Sequence, residues 1–155
     1  MSHQQSVFHP TEIGWREHVG LPDLHIPTIR AKIDTGARTS ALHASVNRQF
    51  ELNGQIFVEF LAPIPGSKKQ RTCSAPLIDI RDVKNTSGIP ESRHFIATTL
   101  VIGRRHWRIE VTLTDRENMK FDLILGRTAI REHRMSVNPG RSFLAGSPCS
   151  LVKTL

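Results

Sequence analysis

The chain has 155 residues, 38% of them hydrophobic, with 21 Lys and Arg against 14 Asp and Glu and a formal net charge of +7. That length suffices for one domain with its own core, and no apolar run approaches the roughly 18 residues that a membrane-spanning helix requires. The basic balance favours anionic partners without choosing among nucleic acid, ribosome and acidic peptide.

The first residues, "MSHQQSVFHP", hold no cationic start followed by an apolar stretch, so no secretory leader and a cytoplasmic location are expected. Residues 1–12 read as loosely attached and 13–155 as a single domain. In "IPTIRAKIDTG", Ile29, Ala31 and Ile33 alternate with Arg30, Lys32 and Asp34, the period of a half-buried strand. "FELNGQIFVEFLAP" reads as a hairpin turning at Asn53-Gly54. "RTCSAPLIDIRDV" reads as a strand pair or one long bent strand, with Pro76 marking an edge or a bulge. "NTSGIPES" (85–92) has the composition of a loop. "RHFIATTLVIGRRHWRIEVTLTDR" is a second hairpin turning at Gly103. "KFDLILGRTAIREHR" begins as a strand and turns helical after Gly126, and "VNPGRSFLAGSP" returns to short extended pieces. Many short strands and one short C-terminal helix predict a mostly β fold, a small closed β-barrel.

The basic clusters "GSKKQR" (66–71) and "GRRHWR" (103–108) read as solvated hairpin turns. No tyrosine is present and no stretch alternates aromatic with basic residues, so a stacking platform for single-stranded nucleic acid is not expected. Any role for nucleic acid is therefore expected to be indirect. There is no GxxxxGK[ST], GxGxxG, HExxH or GxSxG, and no pair of histidines at helical ligand spacing. His43, His94, His106 and His133 read as barrel-wall or solvent-facing imidazoles, and neither a metal nor a cofactor is expected. Cys73 and Cys149 form no repeated spacing, which fits a reducing compartment, and Cys73 reads as a half-buried strand residue.

The chemistry concentrates in "KIDTGARTSALHA" (32–44). Two carboxylates held a few Å apart cannot both ionise, so the pair keeps one proton and acts as base and acid together. A tight turn beneath each one brings them that close. Asp34 would be the carboxylate, Thr35 a hydroxyl able to bond backbone across the junction, and Gly36 the residue whose missing Cβ allows the approach. The chain has one such triplet; Asp79, Asp82, Asp115 and Asp122 lack a following Gly. A C2 homodimer contributing one Asp34 from each copy is the direct route to a dyad.

A strand leading into Asp-Thr-Gly, with "LILGR" (123–127) and a short helix much later, resembles the retropepsin-like aspartic proteases. Residues 13–44 and 119–146, with "IATTLVIGRRHWRIEVTLTDRENM" between them, resemble a bacterial retropepsin-like family called ATP-dependent zinc proteases. That family is associated with a glutamate ligase that tails ribosomal protein S6. The resemblance implies a retropepsin-like barrel and peptide-bond hydrolysis, with Asp34, Thr35 and Gly36 as the catalytic loop and Leu125, Gly126 and Arg127 supporting it. ATP and zinc find no motif here. Retroviral enzymes carry an acid two positions after the motif's Gly, paired with the Arg of the Gly-Arg element; this chain has Arg38 there, which would repel Arg127. Arg38, with Lys32 and Thr39, is expected to bind an acidic substrate such as a glutamate tail, since Arg takes carboxylates bidentately. The alternative expectation is a non-catalytic module on the same fold that binds acidic peptides or the ribosome.

Overall fold

The computed structural model describes residues 11–84, 87–116 and 120–150. Its strands are β1 (Glu12–Gly14), β2 (Arg16–Leu21), β3 (Ile26–Asp34), β4 (Ser40–His43), β5 (Ser45–Leu52), β6 (Gln55–Pro63), β7 (Gln70–Lys84), β8 (Pro90–Ile102), β9 (Arg105–Thr114), β10 (Leu123–Gly126) and β11 (Ser136–Asn138). One helix, α1 (Arg127–Arg131), follows β10. The main sheet runs β2-β3-β10-β4-β9-β8-β7-β6-β5, and β2 pairs again with β8 at Gly20 and Val101. That second pairing closes β2, β3, β10, β4, β9 and β8 into a six-stranded barrel, as the predicted fold class requires. β7, β6 and β5 extend from it as an open sheet, and β1 and β11 form a separate pair.

The alternation expected in β3 is present: Ile29, Ala31 and Ile33 are buried while Arg30 and Lys32 are exposed. Inside the barrel they meet Ile109, Val111 and Leu113 of β9 and the fully buried Leu123 and Leu125 of β10. Burying one such leucine contributes about 2 kcal/mol. The Asn53-Gly54 hairpin forms as read, with φ of 51° and 79° at its two turn residues, the left-handed pair that Asn-Gly favours. The Gly103 turn forms likewise, and both basic clusters lie at or beside hairpin turns.

β7 is one long strand. Its first half pairs with β6 and its second with β8, and the register shifts between Leu77 and Asp79, just after Pro76. The 85–92 loop is shorter than its composition predicts. Pro90, Glu91 and Ser92 already belong to β8, opposite Lys84, Val83 and Asp82. Pro90 opens its strand, where a missing N–H costs least. At the amino end, Glu12 begins β1, which pairs in parallel with β11; residues 1–10 lie outside the described residues.

Cys73 is more deeply buried than expected. Its Sγ points to Leu24 O at 3.5 Å, and burial pushes its thiol up against a smaller lowering by Arg71. A thiol reagent is therefore expected to modify the half-buried Cys149 first, with Cys73 at least ~10-fold slower in the folded chain, as peptide mapping would show.

Glu17 of β2 is completely buried, and sequence reading did not single it out. Its Oε2 accepts from the N–H groups of Gly14 (2.6 Å) and Leu144 (2.9 Å), and its Oε1 accepts from Ala145 N–H (3.0 Å). These bonds tie the segment after β11 to the β1–β2 corner. A glutamine there would turn an NH₂ donor toward a backbone donor. Glu17→Gln is expected to cost about 3 kcal/mol and lower Tm by roughly 6–12 °C in a thermal melt.

Candidate active site

β10 lies between β3 and β4, parallel to the first and antiparallel to the second, so that Gly126 stands opposite Asp34. The chain leaving Asp34 therefore loops over the end of β10 before returning as β4. Ala37 N–H bonds Asp34 O at 3.1 Å and closes the turn. Gly36 N–H donates to Asp34 Oδ1 at 3.1 Å, fixing the carboxylate's orientation, while Oδ2 has no partner among the described residues. A Cβ on Gly36 would sit 3.3 Å from Asp34 Oδ1, so the glycine keeps that oxygen uncrowded. Asp34 is half-buried, and Thr35 and Gly36 are exposed at the tip. The Thr35 hydroxyl has no partner within the described residues.

The turn from β10 into α1 is stitched to this loop. Arg127 N–H bonds Ala37 O at 2.8 Å, and Thr128 N–H and Oγ1 bond Arg38 O at 3.3 and 2.7 Å. Arg127 Nη1 bonds Gly36 O at 3.2 Å. Gly126 N–H bonds the Oγ of the fully buried Ser40 at 3.1 Å. Gly126 and Arg127 thus hold the Asp34 loop directly, and Leu125 anchors them from the core. Ser40 and Thr128 do comparable work, and sequence reading missed them. Their only signal is a hydroxyl residue just after each of the two glycine turns.

The expected repulsion between Arg38 and Arg127 does not arise, because the two side chains line different clefts. One cleft, of about 700 Å³, is bordered by Thr35, Arg127, Arg131 and Arg134 over a floor of Ile130, Met135 and Val137. The other, of about 580 Å³, lies across α1 and is lined by Arg38, Thr39, Arg81, Arg108, Glu110 and Glu132 among others. There Arg81 is paired with Asp79 (3.0 Å) and Glu110 (2.8 Å), and Arg108 with Asp23 (2.8 Å). The hydrogen bond from Arg81 holds the Asp79 carboxyl below its usual range. Arg38 has no ion-pair partner among the described residues. Lys32 shares a strand face with Asp34, whereas Arg38 and Thr39 stand on the far side of the loop.

His43 does not reach Asp34. Its Nδ1 accepts from Arg116 N–H at 3.2 Å, so it serves the wall of the barrel. His94 meets Gln49 and His133 stacks on Trp107, each in its own place. Among the described residues no three His, Cys, Asp or Glu side chains gather to hold a metal ion.

Comparison with known proteins agrees with the fold. The family model described as RimB-like, retropepsin-like aspartic endopeptidase RimB, matches residues 12–148. Curated proteins named "Probable alpha-L-glutamate ligase" are similar to the chain. Those from Shewanella halifaxensis and Shewanella pealeana are 39% and 38% identical over 136 residues, 86% of this chain and 30% of theirs. One from Desulfotalea psychrophila is 38% identical over 129 residues, 82% of this chain and 28% of its own. The chain therefore spans under a third of the length of these relatives. A crystal structure of a Legionella pneumophila protein of unknown function superposes with a TM-score of 0.75 at 25% identity, covering 88% of this chain and 99% of the other.

Proposed function

The chain belongs to the RimB-like family of retropepsin-like proteins, and from that premise we propose that it is an aspartic peptidase that hydrolyses acidic, glutamate-rich peptide tails. One observation carries the reading: a single half-buried Asp34 carboxylate at the base of an exposed loop, oriented through one oxygen by Gly36 and with the other oxygen open. No hydrogen bond joins it to a second carboxylate among the described residues. The dyad is completed by Asp34 of a second copy across a two-fold axis. The exposed Thr35 hydroxyl supports this, since it is available to bond the partner's backbone.

In the dimer one Asp34 carboxylate takes a proton from water as its oxygen adds to the scissile carbonyl carbon. The other, protonated, gives its proton to the carbonyl oxygen. Collapse of the tetrahedral adduct breaks the C–N bond, and a proton passes to the departing nitrogen. One water is consumed, leaving a carboxylic acid and an amine. The acidic preference rests on the net charge of +7, on Lys32 beside Asp34, and on Arg127, Arg131 and Arg134 around the neighbouring cleft. In this reading Arg38 and Thr39 bind acidic residues farther from the scissile bond, at the second cleft. The ligase names of the relatives, each much longer than this chain, fit a substrate built from glutamate.

The test is incubation with a glutamate-tailed peptide, with products resolved by mass and Asp34→Asn run alongside. Shortened tails from the parent chain alone support the proposal. Binding without cleavage would instead favour a non-catalytic module that holds acidic peptides.

A further inference from the structure

Four arginines elsewhere on this protein are neutralised at home. Arg48 pairs with Glu59, Arg81 with Asp79 and Glu110, Arg93 with Glu91, and Arg108 with Asp23. On the outer face of β2 and β3 basic residues face one another instead. Arg16 stands directly opposite Lys32, and His18 directly opposite Arg30, in the antiparallel register. Like charges placed as those of Arg16 and Lys32 destabilise the pair. Yet Arg16, Arg30 and Lys32 make no ion pair among the described residues. Strand alternation puts Arg30, Lys32 and Asp34 on one face of β3, so this basic stripe ends at the catalytic carboxylate.

The stripe is also held rigid. The Arg16 guanidinium lies over the rings of Trp15 (4.7 Å) and Phe143 (5.1 Å), and its Nε donates to Ser142 Oγ at 3.0 Å. Arg30 lies over Phe121 at 4.8 Å, Phe121 meets Trp15 edge-on, and Phe143 stacks on His18 at 4.3 Å. Phe143 reaches that position with φ of 57°, a left-handed backbone that a bulky residue adopts at a cost. Guanidinium groups stacked in this way keep their N–H edges for an incoming carboxylate and lose little freedom on binding it.

We infer that the outer face of β2–β3 is a track on which an acidic peptide lies extended, its same-face carboxylates on Lys32 and Arg30 with Arg16 flanking Lys32, as its backbone reaches Asp34. Same-face residues on a strand repeat every ~6.7 Å, and so do alternate side chains of an extended peptide. An all-glutamate chain therefore meets the cations in any register, and a neutral chain in none. The track rests on the peptidase reading and adds the residues that select the substrate.

The test measures binding of labelled oligo-glutamate to the Asp34→Asn chain by fluorescence anisotropy. Arg30→Gln with Lys32→Gln is compared against Arg104→Gln with Arg105→Gln, which removes the same charge at the β8–β9 turn. The track pair is expected to weaken binding at least about tenfold, the size of one lost charge-assisted hydrogen bond, and the control less than about twofold. Lys32→Arg, with Arg30 intact, is expected to retain the affinity. Equal weakening by the two pairs overturns the track. So does oligo-uridylate that binds more tightly than oligo-glutamate and is lost with the same two residues, which would make the face a nucleic-acid site. If the parent cuts oligo-glutamate, Asp34→Asn does not, and the track pair cuts as before, the track falls and the peptidase stands. Oligo-glutamate that needs the track to bind but is never cut leaves the track standing and removes the peptidase reading.

Discussion

Asp34→Asn is expected to lower the rate of peptide hydrolysis by about three orders of magnitude or more while leaving the melting temperature within about 2 °C of the parent. The two halves of this expectation have separate causes. Asparagine has the volume of aspartate, and its carbonyl oxygen can still accept the Gly36 N–H that fixes the turn. The loop, its stitching to α1 and the exposed tip should all survive. The amide cannot take a proton from water, and in a two-fold dimer the substitution removes both members of the dyad at once. Product masses against time, with a thermal melt on the same sample, read both halves. Asp115→Asn, at a carboxylate that among the described residues receives only the Ser45 hydroxyl, at 3.3 Å, is the matched control and should cleave normally. Near-parental cleavage by Asp34→Asn would move the chemistry to another group.

Gly126→Ala is expected to damage both fold and site. A Cβ there would lie 2.7 Å from Thr39 C, 2.9 Å from Ala37 O and 2.9 Å from Arg38 C, all of them backbone atoms. No side chain can rotate away to make room. The backbone of Gly126 is ordinary extended chain, with φ of −83° and ψ of 170°, so the glycine is required for space and not for conformation. The loop that must move is the one carrying Asp34, and it is held by the hydrogen bonds of Gly126, Arg127 and Thr128 described above. Overpacking of this kind costs about 2–4 kcal/mol, or roughly 4–16 °C in Tm. A shift near 1 Å in the carboxylate would take about a hundredfold from the rate. Gly36→Ala makes a useful contrast, because its Cβ would press only on Asp34 Oδ1, at 3.3 Å. It should melt close to the parent while still losing activity. A Gly126→Ala chain that melts with the parent would show that this junction can open at little cost.

Much of this protein is written locally. The alternation in Ile29–Asp34, the Asn53-Gly54 turn, the Gly103 turn and the strand-to-helix change at Gly126 are each set by a few neighbouring residues. Period, φ preference and turn chemistry act over that range. The Asp-Thr-Gly triplet and "LILGR" were legible for the same reason, since each is a short run with its own geometry.

Other features depend on which strand lies next to which. β10 slides between β3 and β4, Gly20 meets Val101 to close the barrel, and Pro90 to Ser92 join β8 where composition predicts loop. Ser40 becomes the buried acceptor for Gly126, and Arg38 and Arg127 part into separate clefts on either side of α1. The stack of arginines and aromatic rings on β2–β3 is assembled from residues 15–30, 121 and 143, so no window of sequence contains it. Strand order and register are chosen by long-range burial and hydrogen bonding summed over the whole barrel. A local pattern states which face of a strand is apolar and leaves open what that face will meet.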